Sequence, residues 1–303
     1  MMKYNLELDS QKLISQTRIV KSVFVNKSIC KSMLSVLLAI AFLSSNAVVQ
    51  PTVAQQANHT ATSELSMVAT VNPVATDAGV AALDAGGNAV DAAVAAALTL
   101  GVVDGFNSGI GGGCFILIRT AEGEIIAIDG REMAPQAASR DMYLRNGKAD
   151  RNLSQVGALA SGVPGALAAY ERAVREHGKL KFSKLLAQAA GIAENGFVVS
   201  SAYEKALRET AHLLKDDPGV SDVLLKPSTE RNGDRQIYVE GDVLKQVDLA
   251  RTYRQIAKEG LDWFYQGEFA RRTGQWMKAN QGILTAKDFA LSLIHISEPT
   301  RPY

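Results

Sequence analysis

The residues able to attack, move protons or hold ions are sparse and scattered in this chain. The four histidines, His59, His177, His212 and His295, stand far apart, and there is neither an HExxH run nor a pair of CxxC motifs. No metal constellation and no cofactor are therefore indicated, and no GxSxG elbow presents a serine nucleophile. The run Gly109-Ile110-Gly111-Gly112-Gly113 invites a dinucleotide reading. Such a fingerprint follows a strand and opens a helix, so that the helix dipole meets the phosphates. Here the run follows a helical pattern and opens an apolar strand pattern, with Cys114 in the third glycine position. Tight turns and close backbone packing are the expected use of these glycines. Arg131 is different in kind. A guanidinium fork binds a carboxylate through two parallel bonds and stays charged at any working pH. On residue types alone, a surface arginine paired with Asp129 or Glu132 is the simpler reading, with Glu132 a support and not a catalyst.

The elements that would position Arg131 follow from periodicity and caps. Met67–Val71 reads as a short strand closed by Asn72-Pro73. Ala75–Asp84 has a helical pattern ending at Gly86-Gly87. Asn88, with Asp91 three residues on, caps a second helix over Ala89–Leu100. That helix is Ala, Val and Leu on nearly every side, the mark of burial all round. Asp91 and Asn88 are expected to satisfy its terminus and not to touch a ligand. Cys114–Arg119 and Glu124–Asp129, joined through Ala121-Glu122-Gly123, read as a hairpin that delivers Arg131 at its far end. Beyond it the pattern is helical. Pro164 and Gly178 bracket Ala166–His177, and Ser183 and Gly196 bracket another helix. Ser201 with Glu204 forms a capping-box pattern, and Asp248–Lys258 and Glu268–Asn280 follow. Thr285 and Asp288 start a last helix. The expected class is α+β with layered packing.

Composition bounds the rest. The chain has 303 residues, 47% hydrophobic and 21% charged, with net charge +1, 25 Gly, 8 Pro and 2 Cys. This excludes collagen-like, disordered and disulfide-scaffold proteins, and near-neutrality removes the electrostatic case for a nucleic-acid binder. The charge is uneven: residues 1–54 carry six basic and two acidic side chains. They lead into the uncharged run Met33–Leu43, too short to cross a bilayer. Residues 1–54 are therefore expected to be a signal peptide and leader, cut after Ala47 or Ala54; an uncleaved anchor reaching Val49 is the alternative. Residues 55–66 are expected to be a flexible mature N-terminus, and the protein exported, periplasmic or extracellular, with no stable membrane span. Cys30 leaves with the signal, so Cys114 is alone and is expected to be buried and inert. Residues 291–303 resemble the in-frame translation of a sequencing adapter, which marks 67–290 as the genuine but truncated region. Pro299 and Pro302 exclude helix there.

Several ordered segments carry a family resemblance. Met67-Val68-Ala69, Gly86-Gly87-Asn88-Ala89-Val90-Asp91-Ala92-Ala93, Ser108-Gly109-Ile110-Gly111-Gly112-Gly113 and Asp129-Gly130-Arg131-Glu132-Met133-Ala134-Pro135 resemble the large subunit of γ-glutamyltranspeptidases. Ser161-Gly162-Val163-Pro164-Gly165, Phe264-Tyr265-Gln266-Gly267 and Gly282-Ile283-Leu284-Thr285 continue it in order. The resemblance implies a four-layer αββα N-terminal-nucleophile hydrolase, incomplete here because the small subunit is missing. In that family the precursor cleaves itself before a threonine, whose hydroxyl attacks the γ-glutamyl amide of glutathione with its own α-amine as base. Water or an acceptor amino acid or peptide then resolves the acyl-enzyme. The implied partners are these small molecules and the missing small subunit, which holds the nucleophile, so the chain as written is expected to be inactive. Arg131 matches the arginine that grips the substrate α-carboxylate. Gly105-Phe106-Asn107 and Cys114 depart from the family pattern. They leave open a related acylase acting on a β-lactam side chain or poly-γ-glutamate, or a non-catalytic exported carboxylate-binding module.

Overall fold

The computed structural model describes residues 62–227 and 235–295, with side chains through Leu291. The expected signal and leader, residues 1–54, lie outside them, as do 55–61 and 296–303.

Helix α1 (Pro73–Asp84) opens with Asn72 as its cap, whose side chain accepts from Val74 N–H, and with proline in the first turn. Helix α2 (Ala89–Val103) begins at the expected capping box: Asn88 Oδ1 accepts from Val90 and Asp91 N–H, and Asp91 returns a bond to Asn88 N–H. It runs three residues beyond Leu100. Its burial is incomplete, because Ala89, Ala93, Ala97 and Leu100 form one open or half-open stripe beside residues 65–70. The Met67–Val71 strand does not form. Among the described residues no strand lies beside it, and Met67 and Val71 stay exposed; a strand pattern without a neighbour cannot close a ladder.

The hairpin forms as expected. β1 (Cys114–Arg119) pairs antiparallel with β2 (Ile125–Gly130), matching Cys114 with Gly130 and Arg119 with Ile125. Period two gives this ribbon two faces. Cys114, Ile116, Ile118, Ile126 and Ile128 turn toward the helices, whereas Phe115, Leu117 and Ile125 point to solvent. A small ribbon, β3 (Leu144–Arg145) with β4 (Lys148–Ala149), and a short helix α3 (Arg151–Gln155) follow.

Helix α4 (Ala166–His177) lies against β2, and α5 (Phe182–Asn195) packs against α2. After β5 (Phe197–Val198) comes α6 (Ser201–Leu214). Its cap is Ser200, not Ser201: the Ser200 hydroxyl accepts from Tyr203 N–H. Glu204 is thereby displaced from the capping box and instead accepts from Glu240 N–H, 36 residues away. Helix α7 (Pro218–Leu224), then β6 (Leu225–Lys226), β7 (Gln236–Ile237) and β8 (Val243–Leu244), lead to α8 (Val247–Glu259), which packs on α5. Three helices complete the described chain: α9 (Leu261–Tyr265), α10 (Glu268–Ala279) and α11 (Ala286–His295). The last runs past Ala290 to His295.

The core joins α2, α4, α5, α8 and α9 through Leu98, Leu167, Leu185, Leu186, Tyr253 and Tyr265, all fully buried. Each such leucine contributes roughly 1.5–3 kcal/mol. The buried tyrosine hydroxyls are satisfied: Tyr253 donates to Leu98 C=O at 2.9 Å, and Tyr265 donates to Pro164 C=O at 3.0 Å.

Candidate functional site

Arg131 stands one residue beyond the end of β2, as the hairpin pattern required. Its backbone is closely confined. A Cβ on Gly113 would come within 2.9 Å of Gly130 O, Glu132 N and Arg131 Cα, and one on Gly165 within 2.7 Å of Gly130 and Arg131 carbonyl oxygens. Glycine at both places lets two segments close on the 130–132 peptides. Gly112 C=O ties those segments together, accepting from Gly165 N–H and Ala166 N–H at 3.1 Å each. On the downstream side Met133 and Val163 exchange both backbone bonds. Tyr265 steadies the outer segment, because its hydroxyl also accepts from Ala168 N–H. The Asp129 carboxylate accepts from Arg131 N–H at 3.0 Å and completes the clamp.

The side chain is treated differently. The Arg131 guanidinium is 63% exposed, bonds Glu132 Oε2 through Nε at 3.3 Å, and lies 5.7 Å from the centre of the Phe115 ring. An exposed pair of this kind contributes little to stability. The bond to Glu132 uses Nε; the two terminal nitrogens make no hydrogen bond among the described residues. What remains is a fork with a free edge, set over an aromatic face and able to take both oxygens of a carboxylate. Phe115 was not singled out from the sequence. The alternation of β1 signals it, because Phe115 pairs with Asp129 on the outward face two residues before Arg131.

Asn88 and Asp91 are structural, as expected. Asp91 is fully buried and accepts from Lys179 N–H and Leu180 N–H as well as from Asn88 N–H. Asn88 donates to His177 C=O at 2.6 Å, so the motif staples α2 to the end of α4. Cys114, the first residue of β1, is half-buried on the helix-facing side of the hairpin. Burial, aided by the nearby carboxylates of Glu132 and Asp129 and only partly offset by a bond with Tyr170, pushes its thiol up to about 11. Among the described residues no group of three or more His, Cys, Asp or Glu side chains could hold a metal ion. Nor is any helix there long and apolar enough to cross a membrane.

A hairpin sheet backed by helices is consistent with the α+β class of the N-terminal-nucleophile hydrolases that this chain resembles in structure. The γ-glutamyltranspeptidase family profile matches residues 75–302, and the chain belongs to that family, matching its large-subunit portion. It is 39% identical over 224 residues to glutathione hydrolase proenzyme 2 of Schizosaccharomyces pombe, covering 73% of this chain and 35% of that protein. It is 37% identical over 234 residues to the glutathione hydrolase proenzyme of Escherichia coli, covering 77% and 39%. The crystal structure of Helicobacter pylori γ-glutamyltranspeptidase superposes with a TM-score of 0.72 at 36% identity, over 76% of this chain and 65% of that one. The chain thus spans well under half the length of these curated relatives.

Proposed function

We propose that this chain is the large-subunit part of a γ-glutamyltransferase and glutathione hydrolase, in which Arg131 holds the α-carboxylate of the γ-glutamyl group. The free edge of the Arg131 fork, on a backbone fixed by Gly113 and Gly165, carries the reading. Two parallel charge-assisted bonds would fix the glutamyl end, so that its γ-carbonyl faces a threonine supplied by the small subunit of the same precursor. The threonine hydroxyl would then form the acyl-enzyme, and water or an acceptor amino acid or peptide would release it. The proenzyme names of the relatives support such a processed precursor. Residues 67–290 would be the functional large-subunit region and 291–303 extraneous. Residues 1–54 would direct export, so that exported protein begins near Val48 or Gln55, which mass spectrometry of its N-terminus checks.

The test of Arg131 uses a full-length precursor containing this region. Arg131→Lys keeps the charge and loses the planar fork, removing about 1.5–3 kcal/mol of charge-assisted binding. The apparent KM for glutathione should rise about ten- to a hundredfold, with a smaller fall in kcat because the grip also aligns the γ-carbonyl. Self-cleavage into two subunits, read on a gel, should persist because no glutamyl substrate takes part. Processed enzyme with unchanged KM and kcat would remove Arg131 from the substrate site.

A further inference from the structure

The outward face of the hairpin carries one aromatic ring, and the strand register sets its place. Cys114 faces Gly130 and Phe115 faces Asp129, so continuing the ladder by one pair sets Gly113 opposite Arg131. The two backbones do meet there, since a Cβ on Gly113 would lie 2.9 Å from Arg131 Cα. Gly113 has no side chain to stand against the arginine, and the space above it is open. The next side chain of β1 on that face is Phe115, the diagonal neighbour of Arg131, at a separation that long and aromatic side chains bridge. The Arg131 guanidinium accordingly lies over the Phe115 ring, 5.7 Å from its centre.

Packing within the described residues does not account for the ring. Phe115 is exposed and takes no part in the core, against which Cys114 and Ile116, on either side of it, both pack. Its contact with Arg131 also differs in kind from the one Glu132 makes. Glu132 Oε2 accepts from Nε at 3.3 Å. A ring beneath the guanidinium takes up no N–H, because the attraction is to the π face. A carboxylate in its place would occupy the fork and repel an incoming carboxylate.

We infer that Phe115 is a positioning residue for the proposed reaction: its ring holds the Arg131 guanidinium from the face while Glu132 holds the Nε edge, so that both terminal nitrogens stay turned to the α-carboxylate of the γ-glutamyl group. The inference rests on the assignment of Arg131 to that carboxylate. A free arginine side chain populates many rotamers, and fixing one before the substrate arrives lowers the entropic cost of binding. The ring touches no reacting atom, so its loss is read in donor binding and not in the chemical step.

The test uses a full-length precursor containing this region, processed into its two subunits, with glutathione hydrolysis as the assay. Phe115→Leu and Phe115→Val each keep an apolar strand residue and remove the π face. Either should raise the apparent KM for glutathione about two- to fivefold, the range of an exposed cation–π contact, with kcat held. Phe115→Tyr and Phe115→Trp keep a ring and should hold KM at the parent value or below it. Arg131→Met removes the cation, and adding Phe115→Leu to it should lower kcat/KM no further. If Arg131→Lys raises KM while Phe115→Leu and Phe115→Val leave it unchanged, the ring positions nothing and the assignment of Arg131 stands. If Arg131→Lys is itself without effect, both are overturned. A penalty from Phe115→Leu that persists beside Arg131→Met, a fall in kcat equal to the rise in KM, or KM in Phe115→Tyr and Phe115→Trp as high as in Phe115→Leu would each assign Phe115 a structural role instead. So would failure of both Phe115→Leu and Phe115→Val to process.

Discussion

At the scale of single residues, the peptides flanking Arg131 are enclosed by Gly113 and Gly165, while its guanidinium lies against Phe115 and largely in solvent. That division suits a ligand-binding arginine: the Cα is fixed, and the charged end is still hydrated and ready to exchange water for a carboxylate. Cys114, directly after Gly113, has the opposite character. Its thiol is pushed up to about 11, first by burial and then by the Glu132 and Asp129 carboxylates. Since only the thiolate reacts, about one Cys114 in a thousand is reactive at pH 8, against roughly a quarter for an ordinary thiol. Iodoacetamide should therefore label Cys114 roughly two-hundredfold more slowly than a free thiol at pH 8, and the rate should climb tenfold per pH unit up to about 11. Peptide mass mapping over time checks this. Labelling at the free-thiol rate would show that the thiol is not shielded.

At the scale of elements, the helices are joined by buried carboxylates that cap one element and hold a distant one. Asp91 does so for α2 and the segment after α4. Asp288 does so for α11: it accepts from Thr285 N–H and hydroxyl, completing the expected capping box, and from Gln136 N–H, 152 residues away. Gln136 follows the Arg131–Pro135 run, so α11 anchors the downstream end of the site segment. Burial raises the Asp288 carboxyl, but the bonds from Gln136 and Thr285 outweigh it and hold the group below its ordinary value. A folded pKa below the unfolded one stabilises the protein above the unfolded pKa, and that contribution fades as pH falls through the folded value. Asp288→Asn should cost about 1.5–3 kcal/mol at pH 7, from the loss of charged hydrogen bonds. Its melting temperature should converge on that of the parent chain below about pH 4. Thermal melts across pH 3–8 test this, and a gap independent of pH would mean that the charge of Asp288 contributes nothing.

At the scale of the whole chain, the described residues cover the hairpin on one face only. Among the described residues no further strand pairs with β1 or β2, and Phe115, Leu117 and Ile125 are 66%, 76% and 63% exposed. An apolar ribbon with open edges is a surface for another layer, and the small subunit of the proposed precursor would supply one. Without such a layer, this chain should self-associate with rising concentration. Leu117→Gln with Ile125→Gln, which leaves Phe115 beside Arg131, should shift sedimentation toward the monomer without lowering the melting temperature. Equal association in both proteins would place the contact elsewhere.

The helices, their caps and the hairpin were legible in the residues because they are local: Asn88 and Asp91 are one turn apart, and apolar alternation repeats every second residue. The place of Arg131 at the end of the hairpin was legible for the same reason, since β2 ends immediately before it, whereas its assignment to a carboxylate came only from the family resemblance. The failures share the opposite cause. Met67–Val71 has a strand's composition, but a strand exists only where a neighbour accepts its bonds. Ser200 and not Ser201 caps α6, and Glu204, left outside the box, accepts from a backbone N–H 36 residues on. The reach of Asp288 to Gln136 and that of Asp91 to Lys179 each join residues remote in sequence. Periodicity and capping act within a turn or a pleat, so the sequence by itself determined the elements. Which backbone groups and side chains those elements bring within bonding distance was decided only by their packing.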